Sequence, residues 1–460
     1  MRPTVVILAA GLGTRMRSSL PKVLHDLAGK PMIRHVLDTV SGIQPETIAT
    51  VLGYQADEIR RSIEDYQPEI VIQEQQLGTG HAVRQAAKVI ERATGPILVL
   101  CGDTPLLKKE TLAAVIEKHR TARSAVTLLT AKVGDPTGYG RIVRGKSGVM
   151  KIVEEKDASS AQKKIREVNT GIYCFDKTFL LSALHSIDNK NAQGEYYLPD
   201  VIGLARKKRR VVTAVVCQDA DEVMGINSRF DLCRAERIVR DQRNRDWMLR
   251  GVTMTDPETV FIGDGVVIGK DTLLYAGVRL EGNTVIGEGC TLLPGSRIVN
   301  STLGDRVVIK DHCVIEQSTV SRESSVGPFA HLRPGTVLGE GAKVGNFVEI
   351  KKSVIGERSK ANHLSYIGDA TVGRDVNIGA GVITCNYDGY QKHQTVIEDG
   401  VFVGSDAQLV APVTIGKGAL VAAGATVTRD VPSDALAISR SPQEIREGVA
   451  GRRRKMKQQK

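Results

Sequence analysis

The sequence predicts an α/β domain joined by a long helix to a parallel β-helix of hexapeptide repeats, and three observations predict it. Over residues 1–227, apolar strand-like runs alternate with helical patterns, the mark of an α/β sheet. From Ser228 the pattern changes to Leu232, Ala235, Val239 and Gln242 among interleaved Arg and Glu, which reads as an amphipathic helix. From Ile262 every sixth residue is a large aliphatic, giving Ile262, Ile268, Leu274, Leu280, Ile286, Leu292 and Ile298. With 41% of the chain hydrophobic, such a run in a preset phase arises by chance roughly 2 times in 1000.

In the first region, strands are expected at residues 5–9, 47–52, 97–100 and 125–130. Ligands of such sheets sit beyond the carboxyl ends of the strands. After the first strand comes Leu8-Ala9-Ala10-Gly11-Leu12-Gly13-Thr14-Arg15-Met16, then Pro21-Lys22. Two glycines let backbone N–H groups close on a base or phosphate, and Arg15 and Lys22 supply charge for a triphosphate. The third glycine of a dinucleotide fingerprint is missing, as is the Gly-Lys-Ser/Thr of a P-loop, so those two nucleotide folds are disfavoured. By itself the stretch also reads as a glycine turn with two surface cations. Cys101-Gly102-Asp103 follows the apolar strand at 97–100. A carboxylate there is placed either to hold a metal on phosphates or to cap a helix.

The run Gly-x-Gly-Thr-Arg-Met with Pro21-Lys22 resembles the sugar-nucleotide pyrophosphorylase signature, and further motifs follow in family order. Gln73-Glu74-Gln75-Gln76-Leu77-Gly78-Thr79-Gly80-His81 matches the stretch that reads uracil and places the ribose. An amide such as Gln73 both donates to and accepts from a pyrimidine edge. The resemblance implies nucleotide contacts at Leu8, Ala9, Ala10, Gly11, Gly13, Thr14, Lys22, Gln73, Gly78 and Thr79, with Arg15 and Lys22 catalytic. It implies Mg²⁺ on Asp103 and Asn227, the latter in Gly225-Ile226-Asn227. Gly140, Glu154, Asn169 and Asn227, within Gly138-Tyr139-Gly140-Arg141, Val153-Glu154-Glu155-Lys156 and Val168-Asn169-Thr170-Gly171, would hold the sugar 1-phosphate. Cys101 stands where relatives often carry an aromatic, and no contact is carried over to it. The reaction implied is in-line attack of the sugar-phosphate oxygen on the α-phosphorus of UTP, in a Rossmann-like mixed sheet.

The helix from the Ser228 cap runs to about Arg250 and stops at Gly251, joining the two regions, with Trp247 as a packing anchor. The solenoid then spans 252–437, roughly ten coils at about 18 residues each. Smaller residues recur four positions after the aliphatics, at Val266, Thr272, Val278, Thr284, Cys290, Ser296 and Thr302. Further runs are Val320, Val326, Leu332, Leu338, Val344, Ile350 and Ile397, Val403, Leu409, Ile415, Val421, Val427. The register falters between Ile350 and Ile397. Parallel crossovers are normally right-handed, and the spacing says nothing against that. Beyond the solenoid, Ser441-Pro442-Gln443-Glu444 has capping-box form and predicts a short helix, with a basic disordered tail to residue 460.

Five motifs concentrate late in the solenoid: His331-Leu332-Arg333-Pro334, Glu349-Ile350-Lys351-Lys352, Asn362-His363-Leu364-Ser365-Tyr366, Asp375-Val376-Asn377 and Cys385-Asn386-Tyr387-Asp388. With the first region, they resemble, over nearly the whole chain, the family of bifunctional N-acetylglucosamine-1-phosphate uridylyltransferases and glucosamine-1-phosphate acetyltransferases. That resemblance implies a left-handed β-helix, a homotrimer, a cytoplasmic location and cell-wall precursor synthesis. Arg333 and Lys351 would grip the phosphate of glucosamine 1-phosphate, while Tyr366 and Asn377 orient the sugar. His363 would be the general base, because the glucosamine ammonium must lose a proton before its nitrogen attacks a thioester. Ala380, Asn386, Tyr387, Ser405, Ala423 and Arg440 would meet acetyl-CoA. N-acetylglucosamine 1-phosphate would then pass to the uridylyltransferase, giving UDP-N-acetylglucosamine.

The bulk numbers exclude other classes. The net charge of +11 could suggest nucleic acid, but the basic residues crowd into Arg452, Arg453, Arg454, Lys455, Lys457 and Lys460 and into 206–210. These read as a solvated tail and a solvated loop, so no nucleic-acid partner is expected. Seven scattered cysteines without Cys-x-x-Cys spacing favour reduced thiols in the cytosol. No apolar run approaches a membrane span, so stable insertion is not expected. The rival readings are a relative that makes another nucleotide sugar and a non-catalytic assembly subunit of the same architecture. The latter would be expected to lose Arg15, Lys22, Asp103 or His363, and all four are present.

Overall fold

The computed structural model describes residues 2–458, so Lys460, counted above in the basic tail, lies outside them. The chain folds as two compact units that divide between Val239 and Arg240.

In the first unit, β1 (Thr4–Ala9), β2 (Thr47–Leu52), β3 (Glu69–Ile72), β4 (Ile97–Cys101), β5 (Val126–Lys132), β6 (Arg141–Gly145), β7 (Gly148–Val153), β8 (Glu167–Phe175) and β9 (Val212–Cys217) form one sheet. Its order is β9, β5, β8, β4, β1, β2, β3, and the β6–β7 hairpin joins at β8. β1 runs parallel to β2 and β4, whereas β8 runs antiparallel to β4 and β5, so the sheet is mixed. Val5, Val6, Ile7, Leu98, Val99 and Leu100 are fully buried. Central parallel strands covered on both faces need such continuous apolar runs. Because β1 and β4 are paired and parallel, their carboxyl ends deliver Ala10–Gly13 and Gly102–Asp103 to one rim.

The helix Arg229–Leu249 contains the division between the units. Its start is capped as the sequence predicts: the Asp231 N–H donates to Ser228 Oγ at 3.2 Å, and Asp231 Oδ2 accepts the Ser228 N–H at 2.8 Å. Leu232, Ala235, Ile238 and Val239 pack with Leu27, Met32, Met224 and Ile226 of the first unit. Farther on, Trp247 packs against the core of the second.

The second unit is a coil of short strands that stack into three parallel sheets of 11, 10 and 9 strands. Ile262, Leu280 and Ile298 pair in successive coils of the ten-stranded sheet, and Ile268, Ile286 and Leu303 do so in the nine-stranded one. These side chains fill one continuous interior, each burial stabilising by about 1.5–3 kcal/mol. Corner hydroxyls knit neighbouring coils: Thr272 Oγ1 donates to the Gly287 carbonyl at 2.9 Å and accepts the Cys290 N–H at 3.1 Å.

Three expectations need correction. Leu303 follows Ile298 one residue sooner than the hexad predicts, so Ser301 takes the buried corner and Thr302 is exposed. The shortened corners turn on Asn300, Gln317, Lys352 and Asp369, non-glycine residues with φ of 43–48°. For the same reason the register does not falter from Ile350 onward. Ile355, Ala361, Ile367, Val372 and Ile378 continue the buried stack, and a single polar loop after Cys385 delays the next core residue to Ile397. At the end, no helix starts at Ser441; one runs over Val449–Gln458 instead, with no buried residue. Residues 441–444 have no apolar face to pack, whereas Arg, Lys, Met and Gln in 452–458 are strong helix formers.

Candidate active sites

The rim of the first unit holds two adjoining cavities. The larger, about 420 Å³, is lined by Leu8, Ala9, Ala10, Gly11, Gly13, Thr14, Lys22, Gln73, Gly78, Thr79 and Asp103, so all the expected nucleotide contacts converge there. Gly13 has φ 60°, and a Cβ on it would lie 2.7 Å from Lys22 Cβ. The glycine thus lets the lysine approach the loop. Gln73 is 3% exposed, and its Nε2 donates to the Gly78 carbonyl at 3.3 Å and faces His81 Nδ1 at 2.9 Å. Burial and Arg84 hold the His81 pKa below its usual value, which favours a neutral ring that accepts at Nδ1. The Gln73 amide oxygen is left for a partner that donates.

Lys22 Nζ is ion-paired with Asp103 Oδ2 and lies 3.1 Å from Asn227 Oδ1, which Arg15 also contacts at 2.8 Å. Asn227 Nδ2 bonds the Gly225 carbonyl, so its oxygen faces the cations. Two oxygen donors therefore meet at one cation, a donor set whose chemistry suits a hard divalent metal. Among the described residues no group of three or more His, Cys, Asp or Glu could hold a metal. Asp103 caps no helix; the next one begins at Lys109.

The smaller cavity, about 180 Å³, shares Leu8, Thr79 and Cys101 with the first and adds Glu154, Asn169, Tyr173, Gln193 and Tyr197. Gly140 joins it through backbone contact: its carbonyl accepts the Asn169 N–H at 2.8 Å, and a Cβ on it would meet Glu154 Oε1 at 2.9 Å. Burial, then Asp200 and Asp157, push the Glu154 carboxyl up to about 7. Burial beside Asp103 pushes the Cys101 thiol up to about 12, so it is no nucleophile. Tyr173, Gln193, Glu195 and Tyr197 were not read from the sequence; the Glu195-Tyr196-Tyr197-Leu198-Pro199-Asp200 run was the available signal. Arg141 is 1% exposed and ion-paired with Glu155, and Arg206 donates to the Val149 carbonyl at 2.7 Å. The first of the 206–210 cations is thus structural rather than solvated.

In the second unit the expected residues form two groups on different edges of the coil. His363, Ala380, Ser405 and Ala423 each stand two residues after a buried strand residue of the 11-stranded sheet, namely Ala361, Ile378, Val403 and Val421. They stack along the corner leading into the ten-stranded sheet, at roughly 4.8 Å per coil. Arg440 extends the row, its Nη1 donating to the Ala423 carbonyl at 2.8 Å. His363 is exposed and its Nδ1 lies 2.9 Å from Asn346 Oδ1. An amide oxygen there requires Nδ1–H and leaves Nε2 as a free acceptor. Asn346 was also missed by the sequence reading.

Arg333 and Lys351 follow the paired residues Leu332 and Ile350 at the far margin of the ten-stranded sheet. Asn386 Nδ2 reaches Asp369 Oδ2 at 2.5 Å and the Tyr366 hydroxyl at 3.5 Å on the same margin, and Tyr387 opens the polar loop. Lys392 of that loop, also missed, lies against Lys351, and with Arg333 it lowers the Lys351 pKa. Crowded ammonium groups are eased by an anion between them. Asn377 stands on the 11-stranded sheet beside Lys360. Within one chain His363 and the pair Arg333 and Lys351 therefore stand at opposite margins of the ten-stranded face.

Comparison with known proteins follows this division. Residues 4–237 match the nucleotidyl transferase family model, 258–350 the GMPPB C-terminal domain, and 394–429 the bacterial transferase hexapeptide of six repeats. The bifunctional protein GlmU of Heliobacterium modesticaldum is 52% identical over 453 residues, 98% of each chain. That of Pelobacter propionicus is 51% identical over 96% of this chain and 97% of its own, and that of Geobacillus thermodenitrificans 51% over 98% of each. The chain belongs to the GlmU family of bifunctional enzymes, with a nucleotidyltransferase in its first unit and, in its second, a left-handed β-helix of hexapeptide repeats that is an acetyltransferase.

Proposed function

We propose that the enzyme acetylates glucosamine 1-phosphate from acetyl-CoA on the β-helix and then joins the product to UTP in the first unit, making UDP-N-acetylglucosamine. The observation that carries this reading is the meeting of Asp103, Asn227, Lys22 and Arg15 beside a cavity that holds Glu154 and Asn169. Charge for a triphosphate and polar groups for a sugar adjoin there. Gln73 presents its amide oxygen to the N3–H of uracil, a donor that cytosine lacks. Mg²⁺ on Asp103 and Asn227 would neutralise phosphate charge. Lys22 and Arg15 hold the triphosphate for in-line attack, so the chain contributes positioning and charge rather than a nucleophile.

On the β-helix, Arg333, Lys351 and Lys392 grip the phosphate dianion, and Tyr366 and Asn377 orient the sugar. His363 Nε2 takes the proton from the glucosamine ammonium, with Asn346 holding the tautomer. The amine then attacks the thioester, and the sulfur leaves as the thiol of CoA. Ala380 and Ala423 leave room for the pantetheine, Ser405 and Asn386 lie by the thioester, Tyr387 lines the approach, and Arg440 pairs with a CoA phosphate. The separation of the two residue groups on one coil supports an oligomer in which neighbouring copies complete each site, and we assign it as a homotrimer. Reduced thiols suit a cytoplasmic enzyme: all seven cysteines are free. No helix among the described residues is long and apolar enough to cross a membrane. The test is turnover of UTP, dTTP and CTP with several sugar 1-phosphates. Preference for UTP with N-acetylglucosamine 1-phosphate supports the assignment; preference for another base or sugar refutes it.

A further inference from the structure

The strand β8 carries a bulge against β5. Asn169 pairs with Thr130 and Tyr173 with Leu128, leaving Thr170, Gly171 and Ile172 opposite the single residue Leu129. The Thr170 hydroxyl closes the bulge by donating to the Leu129 carbonyl at 2.8 Å, and Gly171 turns with φ 78°. The result aims two donors at one atom. The Gly171 N–H reaches Asn169 Oδ1 at 3.2 Å and the Tyr173 hydroxyl reaches it at 2.8 Å. A peptide N–H can only donate, so the atom it faces must be the amide oxygen. Among the described residues, Asn169 Nδ2 makes no hydrogen bond, and Asn169 lines the smaller cavity.

We infer that Tyr173 is a positioning residue that locks the Asn169 amide with its NH₂ toward the cavity, so that the site demands an acceptor oxygen of the sugar 1-phosphate. This rests on the reading of that cavity as the sugar site. Tyr173 is 1% exposed, and the bond to Asn169 is the only one its hydroxyl makes among the described residues. A phenol that served packing alone would have no need to be aimed at that oxygen. Without it, Asn169 keeps only the longer Gly171 contact, and rotation would present an acceptor to an acceptor. The oxygen that Asn169 reads is either the acyl oxygen or a ring hydroxyl.

The experiment is steady-state kinetics of uridylyl transfer by the full-length enzyme and Tyr173→Phe, with N-acetylglucosamine 1-phosphate and glucose 1-phosphate as probes. Tyr173→Phe is expected to raise KM for the sugar 1-phosphate about five- to twentyfold, the loss of roughly one directed hydrogen bond. The KM for UTP, kcat and acetyl transfer should stay within about twofold. A rise confined to the acetylated sugar identifies the acyl oxygen, and an equal rise with both identifies a ring hydroxyl; either supports the inference. Unchanged KM, or equal loss for UTP and sugar, overturns it. If Tyr173→Phe does not fold, Asn169→Asp decides, since it replaces the donor by an acceptor: a KM equal to that of the unaltered enzyme overturns the inference. Absence of turnover with either sugar in the unaltered enzyme instead removes the reading of the cavity.

Discussion

Replacing Glu154 by glutamine should stabilise the first unit at alkaline pH and leave it nearly unchanged in acid. Burial pushes the folded-state carboxyl from 4.5 to about 7, whereas in the unfolded chain it ionises at its ordinary value. Between those values the folded state holds a proton that the unfolded state has released, so stability falls as pH rises across the window. The penalty is absent below 4.5 and complete above 7. Its upper bound follows from 7 − 4.5 = 2.5 pKa units, about 3 kcal/mol at 1.36 kcal/mol per unit. Glu154 lines a cavity that water reaches, and screening brings the expected figure to about 1–3 kcal/mol. Glutamine keeps the shape and cannot ionise. Calorimetry of both proteins at pH 4.5 and 8.5, following the transition that coincides with loss of nucleotidyl transfer, measures the effect. Glu154→Gln should raise that midpoint at pH 8.5 and not at pH 4.5. Equal shifts at both pH values would refute the reasoning, because packing rather than ionisation would then govern the site.

Lys22→Ala and His363→Ala should be mirror images. The first is expected to slow uridylyl transfer about 10²- to 10³-fold by removing charge from the transition state, with acetylation intact; the second should slow acetyl transfer about 10²- to 10⁴-fold, with uridylyl transfer intact. Assays of each half-reaction check both. Lys392→Ala should raise KM for glucosamine 1-phosphate about tenfold by removing one charge-assisted contact to the phosphate, with kcat for acetylation little changed. Mixing subunits carrying His363→Ala with subunits carrying Lys351→Ala should restore part of the acetyltransferase activity that each lacks alone. No recovery in mixed oligomers would place both groups in one chain's site.

The parts of the sites legible in the sequence were those carried by backbone-demanding motifs in order. Gly13 and Lys22 are adjacent in space because a side chain at 13 would displace the lysine, and that dependence left a readable pattern. The hexad was legible because every core position must be apolar. Tyr173 was not, since a buried phenol in an apolar strand reads as packing until its hydroxyl is located. Lys392 lies in the loop that departs from the repeat, where no period predicts its direction. Sequence order also hid the division of the acetyltransferase residues. His363 and Tyr366 are near neighbours in the chain, yet one faces a corner row and the other reaches toward Asn386. In a coil, position around the turn decides which residues meet, and proximity along the chain does not. The shortened steps at Asn300, Gln317, Lys352 and Asp369 shifted that position by one residue at a time.

A single incubation shows whether one chain acetylates an amino sugar phosphate and then uridylylates it. The enzyme is supplied with glucosamine 1-phosphate, acetyl-CoA, UTP and Mg²⁺, and products are followed by mass over time. N-acetylglucosamine 1-phosphate should appear first, followed by UDP-N-acetylglucosamine and pyrophosphate, with the nucleotide sugar absent when acetyl-CoA is withheld. Formation of UDP-glucosamine at a comparable rate without acetyl-CoA, or acetylation with no later nucleotide transfer, would contradict the account.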